Sequence, residues 1–68
     1  MPESELQMAE RHVAEGERHV VEQEELVSRL ELDGLPTSDA QELLSTFHAT
    51  LAVHREHLSR LQDEQGFA

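Results

Sequence analysis

The side chains able to do chemistry in this sequence are five histidines set among fifteen acidic residues. His54 and His57 stand three apart, and Glu15 and His19 four apart, spacings that put each pair on one face of a helix. If the two carrier helices run side by side, three nitrogens and one oxygen come level. That donor set suits a divalent ion such as zinc. A di-iron bundle instead needs Glu-x-x-His on each of two helices, and neither stretch has one. Glu15, His19, His54 and His57 are therefore the metal candidates. A place in the core or on the flank of a helix pair is the simpler expectation for them, and no cofactor is expected. Catalysis has still less to build on. There is no Cys, Tyr or Lys and no glycine-rich phosphate loop, and Ser38 and Ser45 have no organised base. The chain is not expected to be an enzyme.

Size and charge narrow the function classes further. A chain of 68 residues makes one domain at most and buries only a thin core by itself. Its net charge of −10 repels phosphate backbones and anionic lipid heads. Direct nucleic-acid binding and membrane association are accordingly not expected. No apolar run approaches the ~20 residues of a membrane span. No secretory leader is read after Met1, so the expected compartment is the cytoplasm.

Two helical stretches must position these side chains, with one break between them at Asp33-Gly34-Leu35-Pro36-Thr37-Ser38. Gly34 suits the left-handed residue that ends a helix, and Pro36 prevents continuation. Ser38 with Gln41, like Ser4 with Gln7, has capping-box spacing. Gly66 is the natural stop at the far end. The expectation is a single domain over 1–68, with one helix at about 4–33, a turn at 34–37 and a second helix at about 38–65.

The apolar pattern says how the helices meet. Inner positions run Leu6, Ala9, Val13, Gly16, Val20, Gln23, Val27, Leu30, then Ala40, Leu44, Phe47, Leu51, His54, Leu58, Leu61. A sustained 3.5-residue period means helices crossing at a shallow angle, and so short a turn makes them antiparallel neighbours. The fold class is all-α, an antiparallel αα-hairpin. Leu26 and Leu43 flank the seam near the turn, and Val21, Leu32, Leu35 and Val53 widen the apolar surface. A domain this small, without metal or disulfide, usually gains stability by association. Two hairpins packed as a four-helix bundle would cover both flanks, so a homodimer is expected. Val13, Val20, Leu26, Val27, Leu30, Leu43, Leu44, Phe47, Leu51 and Leu58 would form its core and dimer contacts.

A turn centred near residues 35–36 would set Gly16 and Glu17 across from His54 and Arg55, and Gln23 across from Phe47 and His48. On that register Gly16 makes room for the His54 ring and Gln23 bonds His48, or else both polar residues sit at a solvated edge of the seam; Phe47 is buried near Gln23 and Val27.

The stretches His12-Val13-Ala14-Glu15-Gly16-Glu17-Arg18-His19-Val20, Leu43-Leu44-Ser45-Thr46-Phe47 and His54-Arg55-Glu56-His57-Leu58 resemble a group of small alphaproteobacterial proteins. Those proteins share a histidine- and glutamate-rich helical hairpin and have no established activity. The resemblance spans roughly residues 10–61, transfers no site residue, and implies an interaction module. The architecture is also similar to Rop-type RNA-binding hairpin dimers, but glutamates stand where an RNA-binding face needs Lys or Arg. The leading functional expectation is a non-enzymatic protein–protein interaction module, an acidic hairpin dimer with a possible further protein partner. The alternatives are a histidine-based metal-binding or pH-responsive bundle, and an acidic mimic of nucleic acid that acts as an inhibitor.

Overall fold

A computed structural model describes residues 2–65. The chain forms two helices of 28 residues each, α1 (Glu5–Leu32) and α2 (Ser38–Gln65), packed on each other as an all-α hairpin. The stop expected at Gly66 lies outside the described residues.

Local chemistry accounts for each end. Ser4 caps α1: its hydroxyl accepts from the Gln7 backbone N–H at 3.1 Å, and the Ser4 N–H donates to the Gln7 side chain at 3.0 Å. At the other end Gly34 takes φ +70°, the left-handed region where an L side chain is strained. With Gly34 there, its N–H donates to the Glu31 carbonyl and the Leu35 N–H to the Leu30 carbonyl. That pair of bonds is a Schellman closure, and it satisfies carbonyls the helix end would otherwise leave open. Entry into α2 differs from the sequence expectation. Thr37, not Ser38, stands at the cap. The Gln41 backbone N–H donates to the Thr37 carbonyl at 2.8 Å, and the Gln41 side-chain amide donates to the Thr37 hydroxyl at 3.0 Å. Ser38 is already inside the helix, so Gln41 sits one position too far along to close a box.

The seam is built around Gly16. A Cβ added there would lie 3.0 Å from Leu51 Cδ1, 3.6 Å from its Cβ and 3.7 Å from its Cα. Leu51, not His54, therefore occupies the space left by the missing side chain. A heptad step from that contact brings Ala9 level with Leu58, and the same alignment brings Val27 level with Ala40, so small residues face larger ones along the seam. The turn-centred register is displaced by about one helical turn, and the closure at Gly34 is the reason. It folds the chain back beside Leu30 and leaves the last turn of α1 projecting past α2. Leu32 on that overhang is 87% exposed.

Other seam expectations change with the register. Gln23 is buried, but its amide donates to the Ala40 carbonyl at 2.9 Å rather than to His48, which is exposed. Phe47 is half-buried rather than enclosed by Gln23 and Val27, and its ring lies 5.5 Å from that of His19. Ala9, Gly16, Val20, Gln23, Val27, Leu51 and Leu61 are buried, whereas Leu6, Val13, Leu26, Leu30, Leu44 and Leu58 are half-buried. The hairpin measures 54 × 23 × 13 Å, so it is one helix thick and neither broad face is covered.

Replacing Gly16 with Ala gains helix propensity of up to about 1 kcal/mol but presses on Leu51. Gly16→Ala should therefore stabilise by less than that in the native chain. In a Leu51→Val background, which removes the crowded Cδ1, the full gain should appear. Urea unfolding of the four combinations should give a coupling of about 0.5 kcal/mol or more, with additivity against His54→Ala. Coupling to His54 and none to Leu51 would contradict the packing described.

Candidate functional site

The heptad register sorts the remaining side chains onto two unlike flanks. On one, Glu5, His12, His19 and Leu26 of α1 run beside Leu43, Thr50 and His57 of α2. The contacts His12–His54, His19–Phe47 and Glu5–His57 all belong to this side. On the other, Glu10, Glu17, Glu24 and Glu31 recur every seventh residue of α1 opposite Gln41, His48, Arg55 and Gln62 of α2. Arg55 reaches across to Glu17 at 3.9 Å, and these two residues border a depression of about 240 Å³ with Val20, Val21, His48 and Leu51. A larger, shallower hollow on the outside of α1, bounded by Val21, Glu24, Glu25, Ser28 and Arg29, is lined by one helix alone.

The histidine flank has a cleft of its own, of about 160 Å³, lined by His12, Glu15, Gly16, His19, Thr50 and His54. The Gly16 backbone forms part of its lining. The rings of His12 and His54 lie 5.1 Å apart across the two helices, tilted by 43°.

Three of the four metal candidates, Glu15, His19 and His54, line this cleft, and His57 does not. Glu15 is engaged by Arg11 at 3.0 Å, His19 lies against Phe47, and His54 lies against His12. His57 is 3.9 Å from Glu5, one turn further along α2. Among the described residues no group of three or more His, Asp or Glu side chains is placed to hold a metal ion. The sequence reading overlooked His12 as the neighbour of His54. It stands seven residues before His19 on the same stripe, and pairing it with His54 requires the true register.

One ionic cluster borders the cleft. Arg11 donates to both oxygens of Glu3, at 3.3 and 3.1 Å from Nε and 3.0 Å from a terminal nitrogen, and to Glu15 at 3.0 Å. Hydrogen bonds from this guanidinium hold both carboxyls below their ordinary range and raise Arg11 above its own. Among the described residues no helix is long and apolar enough to cross a membrane. No protein-family model, curated protein or solved structure matches the chain.

Because both carboxyl pKa values are depressed in the fold, the stability they contribute is present above the unfolded value near 4.5. It is lost as pH falls through the lower folded values. Carboxyl-carbon NMR titration should give Glu3 and Glu15 midpoints below 4.5, returning toward it in Arg11→Gln. Midpoints that ignore the substitution would mean the cluster does not form.

Proposed function

We propose that the chain is a non-enzymatic, self-associating interaction module whose first partner is a second copy of itself, giving an acidic four-helix bundle. The observation that carries this reading is the exposed apolar surface on the histidine flank. Leu43, 44% exposed, stands beside the half-buried Leu26 and Phe47, and Val53 and Met8 add exposed apolar surface at 62% and 42%. A hairpin one helix thick has nothing of its own to lay over that surface. Surface of this kind on a chain under ~70 residues is the usual mark of association.

Charge favours this flank over the other. Two copies bring together twice the single-chain charge of −10, so they approach most easily where carboxylates are sparsest. The row Glu10, Glu17, Glu24, Glu31 resists burial on the opposite flank and stays in water, outside the bundle. It keeps the dimer soluble and leaves an anionic surface outward, where a basic protein partner would be accepted.

Sedimentation equilibrium at tens of micromolar should give about twice 7.7 kDa. Association should strengthen as added salt screens the like charges. Leu43→Glu combined with Val53→Glu should return the chain to monomer with its helicity retained, since both side chains are already in contact with water. A monomer throughout the concentration range, or a dimer indifferent to the double substitution, would contradict the reading.

A further inference from the structure

We propose that His12 and His54 form a two-imidazole clamp that captures a divalent late transition-metal ion of the zinc or nickel kind and ties α1 to α2. The ring separation is compatible with this. Two imidazoles bound to one ion at about 2.0–2.1 Å with a tetrahedral angle between them have ring centres about 5 Å apart. The His12 and His54 centroids are 5.1 Å apart, with one ring on each helix. Among the described residues neither ring hydrogen-bonds to a protein group, so the nitrogens are not committed elsewhere.

The surroundings fit an ion held by two protein ligands. The cleft beside the rings has a volume of about 160 Å³, room for waters to complete the coordination, and Glu15 and His19 line its wall. Glu15 lines the same cleft, where its carboxylate is paired with Arg11. The chain's charge of −10 raises the local concentration of cations generally. Both ligands come from one chain, so the clamp does not rest on dimerisation. It does rest on the helices being in register, because the unfolded chain separates the two histidines by 41 intervening residues. Binding to the folded form alone stabilises that form in proportion to ion concentration.

The test is a thermal melt of the full chain, freed of metal and then titrated with zinc chloride or nickel chloride. The melting temperature should rise by roughly 5 °C or more at saturation and fall back when chelator is added. His12→Asn and His54→Asn should each abolish the rise. His48→Asn, on the opposite flank, should retain it. Where an Asn variant does not fold, the intact protein decides: substoichiometric nickel should broaden the His12 and His54 ring resonances before those of His19, His48 and His57. The titration repeated in the Leu43→Glu, Val53→Glu chain should give the same rise, which separates ion capture from dimer formation. No rise in the native chain, a rise surviving loss of either ring, or first broadening at another histidine would overturn the proposal.

Discussion

The close approach of the two helices at Gly16 governs this hairpin. Leu51 settles close to the α1 backbone there, and a Cβ on residue 16 would crowd its Cδ1 at 3.0 Å. Gly16 carries the helix-interior penalty of about 1 kcal/mol, and close packing of the buried Leu51 offsets it. Because heptad steps propagate from that contact, it also determines which residue faces which over the whole seam. Gln23 reinforces the same alignment from the turn side through its bond to the Ala40 carbonyl. A buried polar side chain with one well-placed partner disfavours slipped registers, in which its amide would be unpaired.

The two flanks are consequences of that alignment. Gly16 packs against Leu51 in the seam, and its backbone also borders the cleft between His12, His19 and His54. The glutamate row on the other flank is spaced at the heptad period and faces water for its full length. Four of the five histidines lie on one side and the row Glu10, Glu17, Glu24, Glu31 on the other, so the two flanks differ in charge. The Arg11 cluster near the amino-terminal end of α1 neutralises part of the charge beside the histidine cleft, where Glu15 lines the wall.

Much of the architecture was legible in the residues because helix signals are local. The Ser4–Gln7 box, the left-handed glycine at position 34 and the heptad stripe each depend on a few neighbouring residues, and each appears in the structure. The pairing across the seam was not legible in the same way. A turn assumed symmetrical about residues 35–36 ignores how the Schellman bonds at Gly34 and Leu35 return the chain beside Leu30. That displacement of one turn moved Gly16 from His54 to Leu51 and brought Gln23 level with Leu44, within reach of the Ala40 carbonyl one turn nearer the bend. It also moved His54 to His12, a contact no spacing within either helix announces. The degree of burial was hidden for a related reason. Phe47 has the composition of a core residue, but in a single layer of two helices its seam position borders the open flank.

The most direct test of this account is an isotope-edited NOE measurement on the native chain. Strong cross-peaks should connect the Gly16 α-protons with the Leu51 δ-methyl protons, since the corresponding carbons meet at van der Waals contact. Weaker peaks should connect the Gln23 side-chain amide with Ala40. Gly16 cross-peaks to the His54 ring with none to Leu51 would restore the turn-centred register and contradict the packing on which both proposed surfaces depend.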